Sequence, residues 1–117
     1  MKNNRLVKFE NLGIEVDFAQ EQNGKKFSEI QIRKGWRLLK LKELEEVMNY
    51  IMENHIKILS YFEQPIIKLK NDYVARFIAY SDGANLYYYR NPESSNSSLG
   101  VIFCRDIKGE EFKEVSG

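Results

Sequence analysis

Residues 73–90 read Tyr73-Val74-Ala75-Arg76-Phe77-Ile78-Ala79-Tyr80, then Ser81-Asp82-Gly83-Ala84, then Asn85-Leu86-Tyr87-Tyr88-Tyr89-Arg90. β-Branched and aromatic residues dominate both flanks, as strands favour, and Asp-Gly is the preferred pair for a type I′ turn. The segment predicts a β-hairpin with Asp82 and Gly83 as its two turn residues. Pairing then sets Ser81 against Ala84, Tyr80 against Asn85, Ile78 against Tyr87, Phe77 against Tyr88 and Arg76 against Tyr89. Side chains alternate across a strand, so Ala75, Phe77, Ala79, Leu86 and Tyr88 share an apolar face that belongs to the core. Arg76, Ile78, Tyr80, Asn85, Tyr87 and Tyr89 share the other.

Beyond the hairpin, residues 91–98 form a polar loop with Pro92 and four serines. Leu99-Gly100-Val101-Ile102-Phe103-Cys104-Arg105 is apolar enough for a central strand. Before the hairpin, Ile66-Ile67-Lys68-Leu69 reads as a short strand. Residues 56–64 fit a helix extension or a strand equally, because Pro65 ends any helix by Gln64. Further upstream, Leu41, Leu44, Val47, Met48, Ile51 and Met52 make one helical stripe over residues 41–53. Lys42, Glu43, Glu45, Glu46 and Asn49 fill its solvated side. Asn54-His55 ends the helix, with Asn suited to the left-handed position, and Trp36 is expected to be buried where the chain enters it.

Residues 6–18 alternate loosely, with Ile14, Val16 and Phe18 on one face of a strand and Glu15 and Asp17 on the other. Asn23-Gly24 is a turn signal leading to a second strand at 27–32, with Ile30 and Ile32 inward. The elements together predict an α+β fold, one main amphipathic helix packed on a mostly antiparallel sheet.

At 117 residues the chain suits one domain, with frayed ends expected at residues 1–5 and 108–117 and Phe112 a packing point in the tail. Hydrophobic residues at 43% and charged residues at 30% exclude a disordered chain. Eighteen basic against 17 acidic residues leave a net charge of +1, so no global field attracts nucleic acid or an acidic membrane. Cys104 is the only cysteine, which excludes an intramolecular disulfide. Neither an apolar leader core near Met1 nor a run of about twenty apolar residues is present. These features predict a cytoplasmic protein without a membrane span, in which the sequon Asn96-Ser97-Ser98 is idle.

Gly35-Trp36-Arg37-Leu38, entering a helix at Leu41-Lys42-Glu43-Leu44-Glu45, resembles the Gly-Trp-Arg-Leu-Pro-Thr segment and acidic helix of C-type-lectin-like domains. The similarity is to the bacterial paralogous and formylglycine-generating-enzyme type. The order of later elements is similar too: a strand, the Ser81-Asp82-Gly83 turn, another strand, a polar loop, and Gly100-Val101-Ile102-Phe103-Cys104-Arg105 as the closing strand. The resemblance spans residues 31–105 with a shortened middle. Leu39-Lys40 replaces Pro-Thr, and the usual aromatic-Ser-Ser-Thr strand is missing. It implies a compact α+β fold that displays loops for ligands or proteins. It carries no activity across, since the formylglycine chemistry needs a pair of cysteines.

Candidate chemistry is sparse. Cys104 in an apolar strand reads as a core thiol with a raised pKa. His55, the sole histidine, suits a helix end near the dipole's negative pole, and one histidine supports neither a two-histidine metal site nor a paired nucleophile. Asn91-Pro92-Glu93 is a calcium-lectin motif reversed, without an acidic run to hold the ion. No catalytic residue, metal or cofactor is expected. The binding candidates are Arg76, Tyr80, Tyr87 and Tyr89, because rings beside a guanidinium stack on partners and centre protein interfaces. The competing reading is a cross-strand ladder covered by Ile66-Ile67 or by the tail. The expected function is a non-enzymatic interaction module that meets another protein chain or itself. The alternative is a small nucleic-acid-binding protein adding Lys68, Lys70 and Arg90 to the same face.

Overall fold

The computed structural model describes residues 5–64, 73–90 and 96–107, with the backbone alone at Tyr89 and Arg90. The fold is α+β: one α-helix lies on a seven-stranded, mostly antiparallel sheet. The strands are β1 (Leu6–Phe9), β2 (Ile14–Glu21), β3 (Arg37–Leu38), β4 (Ile58–Tyr61), β5 (Val74–Tyr80), β6 (Gly83–Arg90) and β7 (Gly100–Asp106). The helix α1 is Leu44–Glu53. Their spatial order is β1-β2-β7-β4-β5-β6, with β3 also paired to β7. β7 is central, as its apolar run predicts, and only its contact with β4 is parallel. There the Ser60 hydroxyl accepts from the Ile102 amide at 3.0 Å and donates to the Tyr61 carbonyl at 2.7 Å, serving a short ladder with a side chain.

Alternation along the strands gives the sheet two apolar faces. Ile14, Val16, Phe18, Phe77, Ala79, Ile102 and Cys104 meet Leu44, Val47 and Ile51 of α1 in one core. Tyr61, Val74, Leu99, Val101 and Phe103 form a second core on the opposite face, under Phe27, Ile30 and Trp36.

Several expectations are corrected. The first hairpin is not at Asn23-Gly24 but between β1 and β2, where Gly13 at φ +69° closes the turn. Residues 27–32 form no strand. β2 takes its partners from β1, over residues 14–17, and from β7 on the other edge. The Gln22 side-chain amide takes both backbone groups of Gln31 at 2.9 Å, and Phe27–Glu29 is a 3-10 turn. Ile30 is half-buried, but Ile32 is 52% exposed.

The helix also starts later than its stripe predicts. Leu41–Glu43 is a 3-10 turn with Leu41 exposed. Glu43 is buried at 3% exposure, not solvated, because it accepts from the Lys40 amide at 2.8 Å and from the Arg37 guanidinium. At the other end the left-handed position belongs to His55 at φ +56°, not to Asn54. The His55 amide reaches the Met52 carbonyl and the Ile56 amide reaches Ile51, which is a Schellman closure. That closure releases the chain into β4, settling residues 58–61 as strand. The expected strand at 66–69 and the calcium-lectin-like triplet at 91–93 lie outside the described residues.

Candidate functional site: the hairpin end of the second sheet face

The hairpin forms with Ser81 and Asp82, not Asp82 and Gly83, as its turn residues. Tyr80 pairs with Gly83, Ile78 with Asn85, Phe77 with Leu86 and Arg76 with Tyr87. Every partner is displaced by two from the expected register. A two-residue displacement preserves the side-chain alternation, so from Arg76 to Tyr87 both faces keep their predicted members. A further irregularity inserts one extra residue into β6 between the Arg76–Tyr87 and Val74–Arg90 pairs.

Two cross-strand rows define the site. In the first, Tyr61 of β4, Arg76 of β5 and Tyr87 of β6 stand side by side on the face opposite α1. Tyr61 is fully buried beneath Phe27, whose ring meets it edge-on at 5.3 Å. Arg76 is half-buried, and Tyr87 is 39% exposed. In the second row Leu59 and Ile78 are half-buried and Asn85 is exposed. Tyr80 lies beyond, 37% exposed. The segment at 22–36 thus roofs β2, β7 and β4 and stops there.

The Arg76 guanidinium lies over the Tyr87 ring at 5.0 Å from its centroid, a cation–π pair on the half-covered surface. The structure therefore brings Arg76 and Tyr87 into contact and sets Tyr80 on the same face. The Tyr89 side chain, Lys68, Lys70, Ile66, Ile67 and the tail lie outside the described residues, as does the Arg90 side chain.

Sequence reasoning missed how the roofed half is pinned. Asp17, on the strand face opposite Ile14, Val16 and Phe18 as expected, is 2% exposed and accepts from Arg5 at 2.8 Å, Arg33 at 3.0 Å and the Ala19 amide at 2.9 Å. Burial pushes its carboxyl up, but these donors outweigh burial and hold it below the usual carboxylate range. Trp36 is half-buried, with the Arg33 guanidinium 4.3 Å and the Arg105 guanidinium 5.1 Å from its ring. Gly35 at φ +84° turns the chain into this stack, and Arg37 bonds both Glu43 and Asp106 at 2.8 Å. The Gly35-Trp36-Arg37-Leu38 stretch is accounted for by these contacts. Alternation at Glu15 and Asp17 was the available signal, but their arginine partners are remote in sequence.

Other chemistry is limited. Cys104 is buried, and burial pushes its thiol up to about 12 despite the nearby Arg37 charge. A cleft of about 310 Å³ near the helix start is lined by Asn11, Leu12, Lys40, Lys42 and the Arg37–Glu43–Asp106 cluster. Among the described residues no three His, Cys, Asp or Glu side chains form a metal-holding group, and no helix is long and apolar enough to cross a membrane. No family model, curated protein or solved structure matches the chain.

Proposed function

We propose that the protein is a non-enzymatic interaction module of the cytoplasm whose β5–β6 hairpin meets another protein chain, in the first instance a second copy of itself. One observation carries this reading. Among the described residues the segment at 22–36 covers one sheet face over β4, and beside that cover Arg76 stacks on Tyr87, with Tyr87 and Tyr80 each more than a third exposed. Rings and guanidinium groups at the edge of a covered apolar surface are the residue types that dominate protein interfaces.

The test is the double variant Tyr80→Ser with Tyr87→Ser, followed by light scattering and thermal melting. The expected result is loss of association with the melting temperature nearly unchanged, since both side chains are more than a third exposed. A variant that unfolds assigns the rings to the core and ends the proposal. A labelled single-stranded oligonucleotide addresses the nucleic-acid alternative. Tight binding that weakens steeply with salt would replace the protein-interface reading.

A further inference from the structure

Asn23 is the only asparagine of the chain that is followed by glycine. Asparagine is a chemically labile residue, and glycine after it leaves the next backbone nitrogen unhindered by any side chain. In deamidation that nitrogen gives its proton to base and attacks the asparagine Cγ, and the side-chain amide leaves as ammonia. Water then opens the cyclic imide at either carbonyl, giving aspartate or isoaspartate. Asn23 is exposed, so water and base reach it. The reaction further needs a free Gly24 N–H and a Cγ able to swing onto that nitrogen.

The fold withholds both. The Gly24 N–H donates to the Leu99 carbonyl at 3.0 Å, which engages the proton and aims the nitrogen at the entry to β7. The Asn23 Oδ1 accepts from Gln20 Nε2 at 3.2 Å and lies against Gly100, where a Cβ would run into it. Gln20 is itself fixed. Its Nε2 also donates to the Ser98 carbonyl at 2.8 Å, and its Oε1 accepts from the Leu59 amide at 3.1 Å. On the preceding side Gln22, at φ +58°, is held through its side-chain bonds to Gln31. The Asn-Gly pair is thus clamped where the end of β2 meets the start of β7.

We propose that Asn23 is a deamidation site latched by this junction, in which the reaction proceeds only when Gly24 parts locally from Leu99. The product does not fit the closed junction. Isoaspartate adds a methylene to the main chain between residues 23 and 24, and either product sets a carboxylate against Gly100 and the Glu21 carbonyl. After isoaspartate forms, the Gly24 N–H no longer lines up with Leu99, and one reaction makes the opening permanent.

Peptide mapping by mass spectrometry after incubation at mildly alkaline pH tests the latch. Conversion is read as the mass gain of amide to acid at Asn23. Folded wild type is expected to convert at least about tenfold more slowly than the chain in denaturant, since only the open fraction reacts. Gln20→Ala removes the donor to Asn23, and Gly100→Ala pushes a Cβ into its side chain. Each, shown to be folded by circular dichroism, is expected to convert about threefold faster than wild type or more. Gln20→Ala carries the test if Gly100→Ala does not fold. Leu44→Ala weakens the core under α1 instead and is expected to leave the folded rate unchanged. Folded wild type converting at the denatured rate overturns the proposal, as does a denatured chain that stays unconverted at Asn23. An unchanged rate in every folded junction variant also overturns it. Equal acceleration by Leu44→Ala would place the reaction in global unfolding and end the local latch.

Discussion

Asp17 shows how much one carboxylate does in this domain. It ties the segment before β1 to the roof through Arg5 and Arg33, from a position almost closed to water. Asp17→Ala strands the Ala19 amide and part of Arg33, and we expect a loss of about 1–3 kcal/mol by chemical denaturation. The charge is stabilised in the fold, so its folded pKa lies below its unfolded value. Arg37 likewise holds the Asp106 carboxyl low. Their contribution is present above the unfolded value of about 4 and is lost as pH falls through the lower folded values. A stability profile that is flat from neutrality to pH of about 3 would contradict this. Cys104 has the opposite sign. Its neutral thiol is favoured by burial, so stability falls between about pH 8.5, where the unfolded thiol ionises, and about 12. Native Cys104 is expected to react slowly with a thiol reagent and quickly once unfolded. His55 carries a left-handed backbone that glycine adopts without strain. His55→Gly is therefore expected to raise stability by about 0.5 kcal/mol, read as a higher denaturation midpoint.

At the scale of elements, the helix stripe was legible because its spacing repeats. Leu44, Val47 and Ile51 are buried as the stripe requires. Leu44→Ala is expected to cost roughly 2–4 kcal/mol. A loss below about half a kcal/mol would mean that α1 does not carry the core. The start of the helix was not legible, because the Glu43 contact that builds the 3-10 turn depends on Arg37, which β7 positions. The hairpin faces were legible from Arg76 to Tyr87 even though the turn was misplaced, since a two-residue displacement leaves the parity of those side chains intact. Ile30 and Ile32 misled for a different reason. Local alternation cannot report that β2 takes its partners from β1 and from β7, the latter about eighty residues away. Gly100 marks where that distant partner arrives. A Cβ at this position would run into the Glu21 carbonyl and the Asn23 side chain, so Gly100→Ala is expected to cost about 1–3 kcal/mol.

Across the whole molecule the decisive feature is uneven coverage of one sheet. α1 packs on one face from β1 and β2 across to β5 and β6, and the segment at 22–36 covers β2, β7 and β4 on the opposite face. Among the described residues the second cover stops at β4, and Arg76, Tyr80 and Tyr87 lie beyond it. The sequence supplied the members of that face but not its boundary, because the roof is an irregular segment held by Gln22, Asp17 and two arginine–tryptophan contacts. Amide hydrogen exchange followed residue by residue, in dilute and in concentrated solution, tests the contact directly. The account predicts that protection gained on concentration is confined to β5 and β6. Protection gained over α1 or β1 instead, or no change at any amide, would contradict it.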